Sequence, residues 1–140
     1  MQVTTQLSVF LENRAGVLAK VAADLARHRV SIRALTVANL VDHAVVRLVV
    51  SDPRRALHLL GERGVLAFTS EVLAVEVPDE GGTIADIARR LGRAGINIEY
   101  AYGSGPAEGG KAVIYLHVSD LKKARGVLRP KPRSPRRRRR

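Results

Sequence analysis

The 140-residue chain contains no cysteine and no tryptophan, and only five of its residues are phenylalanine or tyrosine. Without cysteine, a disulfide framework, thiol catalysis and thiolate-dependent zinc or iron–sulfur sites are excluded. No stretch of about 18 consecutive apolar residues occurs, and no basic segment precedes an apolar one at the N-terminus, so neither a membrane span nor a secretory leader is predicted. We therefore expect a cytoplasmic protein without a membrane partner.

Acidic residues are few, because 13 Asp and Glu stand against 24 Lys and Arg, and the formal net charge is +11. Such a balance is typical of nucleic-acid binding. However, eight of the basic residues lie among the last twelve, and the preceding 128 residues carry a net charge of only +3. Residues 129–140 are interpreted as a disordered Pro/Arg-rich tail, either native or the product of a shifted reading frame. The rest is an ordinary globular composition.

The chain contains an internal repeat. Residues 43–52 read HAVVRLVVSD and residues 111–120 read KAVIYLHVSD, at an offset of 68 residues. Upstream, an apolar pattern that includes Gly16 and Leu18 returns at an offset of 66 as Gly82 and Ile84. A repeat of this length indicates two copies of one structural unit.

Each copy shows the same order of periodicities. An alternating strand comes first, then an amphipathic helix, two β-rich runs separated by a short turn, and a second helix. In the first copy Asp52 is a suitable N-cap, Pro53 fits the first helical position, and Gly64 ends the helix before a short strand at residues 65–70.

This order predicts an α+β protein made of two ferredoxin-like βαββαβ units, with antiparallel sheets and helices on one face. We place the first unit at residues 1–70 and the second at residues 71–128. The second unit lacks its last strand, because three prolines and a run of like charges in residues 129–140 are incompatible with a strand.

The loops between the first strand and first helix carry the most specific signal. In both copies a small polar residue precedes a glycine by three positions, as Asn13 and Gly16 in one and Asp79 and Gly82 in the other. This pattern resembles the first loop of the ACT domain, a small-molecule regulatory module. The resemblance extends over residues 3 to about 128 and is greatest to stand-alone tandem ACT proteins. The proline usual in that loop is Ala15 in one copy and Gly81 in the other.

The resemblance implies a non-catalytic regulatory protein that binds a small ligand, with an amino acid as the expected class, at these loops and at a domain interface, and that acts through assembly or a partner enzyme. Backbone amides at the start of the helix suit a carboxylate, and the oxygen of Asn13 or Asp79 suits an ammonium group. The candidate ligand-binding residues are Asn13, Arg14, Ala15, Gly16, Val17, Leu18, Asp79, Gly81, Gly82 and Thr83. Alternatively, the glycines only permit a tight turn and Asn13 only caps a helix.

No cofactor, metal site or catalytic residue is predicted. The four histidines show no metal-ligand spacing, and no nucleophile comes with a base and an orienting partner. The alternative function is an RNA-binding domain of the same topology, aided by the basic tail, but such domains stack bases on strand aromatics. The third strand of the first copy, Ala44–Val50, contains no aromatic residue.

The strand at residues 43–50 is apolar on both faces, since Val45 and Val49 lie opposite Val46 and Leu48. A strand of this kind is covered on both sides. Another sheet or another chain would cover the face away from the helices, and we predict a homodimer.

Overall fold

Six strands and four helices occur in the parts of the chain that the computed structural model describes, residues 1–78, 81–104 and 111–130. The strands are β1 (Gln2–Glu12), β2 (Ile32–Asn39), β3 (His43–Val50), β4 (Leu66–Val77), β5 (Ile98–Ser104) and β6 (Ala112–Val118). The helices are α1 (Val17–Arg27), α2 (Pro53–Glu62), α3 (Thr83–Arg93) and α4 (Leu121–Val127). The predicted α+β class and the order of elements are confirmed. The tail beyond Pro130 lies outside the described residues.

All six strands form one antiparallel sheet in the order β2-β3-β1-β4-β6-β5. The sequence predicts two sheets, one for each unit, with a short strand at residues 65–70 as the last strand of the first. Instead, β4 runs through both as a single strand of 12 residues. The physical reason lies in its sequence, LAFTSEVLAVEV, which contains none of the Gly, Pro, Asn or Asp residues that would turn the chain. The predicted boundary between residues 70 and 71 lies inside this strand.

Strand β1 serves both units. Its C-terminal half pairs with β3, with Leu7 opposite Leu48, as the first ferredoxin-like unit requires. Its N-terminal half pairs with the C-terminal half of β4, with Val3 opposite Leu73, where the second unit would have its fourth strand. Val3 accordingly packs against the apolar core of the second unit. The strand missing from the second copy is thus supplied by the start of the first.

The sheet is strongly curled, so that the face away from the helices closes on itself. The Cα atoms of the edge strands β2 and β5 approach within 8 Å. Between the two halves lies an inner layer of side chains whose buried members are Ala34, Val49, Val72 and Tyr115. The covered face of β3 expected from Val49 is therefore explained within one chain. This observation leaves the homodimer untested.

A cluster of polar side chains crosses this inner layer. Gln6 of β1 is fully buried, and its Nε2 donates to the Ser70 Oγ at 3.1 Å and to the Tyr100 hydroxyl at 2.6 Å. The Tyr102 hydroxyl donates to the Gln6 Oε1 at 2.7 Å. The guanidinium carbon of Arg47, on β3, lies 3.9 Å from the centroid of the Tyr100 ring. The contacts of Gln6 with Tyr100 and Tyr102, and of Arg47 with Tyr100, join strands that are not neighbours in the sheet and so connect its two halves.

The helices lie on the outer face, over two apolar cores built from equivalent positions of the repeat. The repeated Ser-Asp pair accounts for part of this symmetry. Asp52 and Asp120 are the N-caps of α2 and α4, and each accepts a hydrogen bond of 3.0 Å from the backbone amide three residues later. The Oγ atoms of Ser51 and Ser119 accept hydrogen bonds of 2.9 Å from the backbone amides of Ser31 and Asn97, the residues just before β2 and β5. The predicted N-cap at Asp52 is confirmed.

Candidate functional site

The first loop, residues 13–16, connects β1 to α1 and is exposed. Gly16 is the N-cap of α1 and has φ of +86°, in the left-handed region, and no side chain caps the helix. A Cβ placed on Gly16 would meet no heavy atom within 4 Å, so the glycine is required by backbone conformation and not by space. The amides of Leu18 and Ala19 have no intrahelical acceptor, and they stay available to an anion.

Asn13 is held by the turn between β2 and β3. Its backbone amide donates to the Asp42 carbonyl at 3.1 Å, and its Nδ2 donates to the Asn39 Oδ1 at 2.6 Å. Asn13 therefore does not cap α1, which removes that alternative for its side chain. Its Oδ1 accepts no hydrogen bond from another described residue, so an ammonium group could bind there.

A cavity of about 320 Å³ lies on the inner side of this loop, between α1 and α2. We call it the α1–α2 cavity. Of the predicted site residues, it brings together Arg14 and Val17, and not Asn13, Ala15, Gly16 or Leu18. Sequence reasoning missed the rest of its lining, because these residues come from both helices and the strand ends: Phe10, Leu11, Glu12, Lys20, Val21, Asp24, Leu59, Leu60, Arg63, Gly64 and Val65.

Asp24 is the one buried acidic residue of this cavity. Burial acts to raise the pKa of its carboxyl, but the guanidinium groups of Arg63 and Arg27 outweigh it and hold the pKa below its ordinary value. Arg63 Nε donates to the Asp24 Oδ2 at 3.2 Å, and Arg27 donates to the other oxygen. Asp24 thus joins the end of α1 to the end of α2 and is not free for a ligand.

The remaining charges at the cavity are less constrained. Glu12 and Arg14 form an ion pair of 3.0 Å whose side chains are 67% and 72% exposed. Lys20 makes no ion pair with a described residue, and the Nη atoms of Arg63 have no partner there either. The cavity therefore presents available positive charge above an apolar floor.

The second loop has the same backbone geometry at its glycine. Gly82 is the N-cap of α3 with φ of +90°, followed by Thr83 at the first helical position. Gly81 is exposed, and Asp79 lies outside the described residues. The side chains beyond the loop differ from the first copy, since Lys20 and Asp24 correspond to Asp86 and Arg90.

Below α3 lies a smaller cavity of about 210 Å³, between that helix and β5. Its lining is almost wholly apolar and includes Ile84, which is 65% exposed, Ile87 and Ile98. None of the described residues that line it is charged, so these residues offer nothing that would orient a zwitterion.

The tyrosines are not displayed as a base-stacking surface. Tyr102 and Tyr115 stack on each other in the inner layer with centroids 5.3 Å apart, and Tyr100 stacks on His117 at 4.7 Å. Tyr115 is buried. Because these rings are used inside the protein, the described residues give the RNA-binding alternative no stacking platform of the kind such domains require.

Within the described ranges, no three His, Cys, Asp or Glu side chains are grouped as a metal site would need. No helix there is long and apolar enough to cross a membrane.

Two ferredoxin-like units with glycine-capped first loops are the arrangement from which the sequence predicts a small-molecule regulatory module. Comparison with protein families agrees, because residues 1–132 match the family described as ACT domain pair. The chain belongs to this family, and the predicted resemblance is confirmed.

Solved structures show the same architecture. A protein of Bacteroides thetaiotaomicron is 32% identical, with a TM-score of 0.84 over 90% of this chain and 86% of that one. The regulatory subunit of aspartate kinase from Thermus thermophilus is 16% identical, with a TM-score of 0.65 over 91% and 93% of the two chains. Aspartate kinase from Clostridium acetobutylicum is 14% identical, with a TM-score of 0.58 over 89% of this chain and 32% of that one. Comparison with curated protein sequences gives no significant match.

Proposed function

We propose that the protein is a non-catalytic regulator that binds an amino acid at its β1–α1 loops and at the interface of its units. The observation that carries the proposal is the first loop, where the glycine N-cap leaves the first-turn amides of α1 uncapped. Amides in this position bind a carboxylate, and the helix dipole favours the negative charge by about 0.3–1 kcal/mol. Asn13 supplies an oxygen for the ammonium group.

The proposed ligand residues of the first loop are Asn13, Arg14, Ala15, Gly16, Val17 and Leu18. Those of the second loop are Asp79, Gly81, Gly82 and Thr83. Membership in the ACT domain pair family supports a ligand-responsive role, and the regulatory subunit of aspartate kinase shows that a chain of this fold and length serves an enzyme. We therefore propose that the protein acts on a partner enzyme. We place both in the cytoplasm, because a chain without cysteine forms no disulfide bond and does not depend on an oxidising compartment.

We also propose that the protein forms a homodimer. Edge strand β2 carries Leu35 and Val37, which are 46% and 49% exposed, and Val41 in the following turn is 94% exposed. An edge with exposed apolar side chains favours pairing with a second chain. Light scattering at micromolar concentrations should give twice the chain mass, and a monomeric mass would reject the dimer.

The test of ligand binding is a thermal-shift screen of the full chain with the twenty amino acids and a short oligonucleotide at two salt concentrations. At one hundred times its Kd, a ligand stabilises the folded state by about 2.7 kcal/mol, or roughly 8 °C for a chain of this size. Stabilisation by one or a few amino acids supports the proposal. No amino-acid response, together with oligonucleotide binding that survives deletion of residues 129–140, would support RNA binding instead.

A matched pair of glycine variants tests the location. Gly16→Val should abolish binding at the loop and so weaken the response, because a β-branched residue does not adopt the left-handed backbone that positions the amides. Gly95 has a comparable φ of +72° and open space around it, and it lies after α3, away from both loops. Gly95→Val introduces the same kind of strain and should leave the response intact; equal loss in both variants would reject the loop.

A further inference from the structure

The α1–α2 cavity has a lining that is polar at its rim and apolar at its floor. The floor is formed by aliphatic side chains of both helices, of β1 and of the connection before β4, among them Leu11, Val21, Leu59 and Val65. A volume of about 320 Å³ lies at the small end of the range for ligand sites. The cavity therefore suits a molecule the size of one amino acid and not a nucleotide.

Charge at the rim indicates how such a molecule would be oriented. The Lys20 ammonium group and the Nη atoms of Arg63 are without partners among the described residues, so both can donate to a carboxylate. Glu12 is the acidic residue of the rim that can accept from an ammonium group, because its pairing with Arg14 is exposed and contributes only about 0–1 kcal/mol. Asp24 is already engaged by two guanidinium groups, so it keeps Arg63 in place and does not itself bind the ligand.

The second unit does not repeat this arrangement. Where the first unit has Asp24, the second has Arg90, whose Nη2 donates to the Val127 carbonyl at 2.6 Å and bridges α3 to α4. Where the first has Lys20, the second has Asp86, which is paired with Arg89. The cationic rim is thus a property of the first unit.

Resting on the amino-acid-binding function above, we propose that the α1–α2 cavity is a second amino-acid site of the first unit, separate from the loop amides and Asn13, and that it selects α-amino acids with apolar side chains. The ligand carboxylate binds Lys20 and Arg63, its ammonium group binds Glu12, and its side chain occupies the aliphatic floor. A charged ligand side chain would be desolvated there without a partner, which disfavours acidic and basic amino acids.

The experiment is calorimetric titration of the full chain with L-leucine, L-phenylalanine, L-aspartate and L-lysine, and with N-acetyl-L-leucine. Leucine or phenylalanine should bind at least tenfold more tightly than aspartate and lysine. N-acetyl-L-leucine should bind at least tenfold more weakly than leucine, because it lacks the ammonium group that Glu12 accepts. Equal or tighter binding of the charged amino acids, or of the acetylated one, overturns the proposed selectivity.

Two lysine variants locate the pocket. Lys20→Glu should raise the Kd at least tenfold, since a charge-assisted hydrogen bond is replaced by repulsion. Lys122→Glu makes the same charge change at an exposed position of α4 in the second unit and should alter the Kd less than twofold. Lys20 is exposed, so folding should be unaffected, and Lys20→Arg should restore binding.

The outcomes separate the two proposals. If an amino acid binds and both glutamate variants behave alike, the cavity is rejected and the amino-acid-binding function stands. If no amino acid binds the wild-type chain, both proposals are rejected.

Discussion

Replacing Gln6 by methionine should test whether the hydrogen bonds of its buried amide hold the two halves of the sheet together. Gln6→Met keeps the length of the side chain but removes three hydrogen bonds, to Ser70, Tyr100 and Tyr102. The bonds to Ser70 and Tyr100 contribute about 0.5–1.5 kcal/mol each. The Tyr102 hydroxyl would be left without an acceptor, at a cost of about 1–3 kcal/mol.

Together these terms give a loss of about 2–6 kcal/mol in the free energy of unfolding, which corresponds to a fall in Tm of roughly 6–20 °C for a chain of this size. Urea denaturation followed by far-UV circular dichroism measures the change, since the chain has no tryptophan. A loss below about 1 kcal/mol would refute the reasoning.

A double-mutant cycle isolates the contact between Gln6 and Tyr102. Tyr102→Phe removes one hydrogen bond and should cost about 1–2 kcal/mol. Combined with Gln6→Met it should cost about 1 kcal/mol less than the sum of the two single changes, because the same bond cannot be lost twice. Additivity to within about 0.3–0.5 kcal/mol would show that the two side chains do not act as a pair.

Three further perturbations have expected outcomes. The pKa of Asp24 is lowered from 3.8 by its guanidinium partners, so its contribution to stability is present above that value and is lost as pH falls through the folded-state pKa. Urea titrations from pH 7 to pH 2 should therefore show that the free energy of unfolding falls less steeply with acid in Asp24→Asn than in Asp86→Asn. Gly82→Ala should cost about 1–2 kcal/mol by denaturation, since φ of +90° is strained for a side chain, and no change would indicate that the loop relaxes. Asp52→Ala removes the 3.0 Å N-cap bond and should cost about 1 kcal/mol, with faster amide exchange confined to the first turn of α2; protection unchanged there would contradict the cap.

Local features of the fold were predictable from sequence because they depend on neighbouring residues. Asp52 and Pro53 define the start of α2, and the structure has both in the expected roles. Gly16 and Gly82, matched by the repeat, have nearly the same φ. Each of these depends on a few residues whose backbone preferences are strong.

The features that sequence did not predict depend on distant residues. The pairing of Val3 with Leu73 and the bonds between Gln6 and the tyrosines of β5 join positions about 70 to 96 residues apart, which no local periodicity reports. Most of the α1–α2 cavity was missed for the same reason, because its lining comes from two helices, from β1 and from the connection between α2 and β4. Only its loop residues, Arg14 and Val17, were found from the motif.

Strands β1 and β4 each run through both repeats, and this has a consequence for how the chain folds and is divided. A fragment that ends between the repeats would cut β4 and leave the remaining part of each long strand as an unpaired edge, open to aggregation. The first residues of the chain also pair with strand residues more than 60 positions later, and such long-range pairing raises the contact order and slows folding. We therefore expect the two copies, although duplicates in sequence, to fold and unfold together as one cooperative unit.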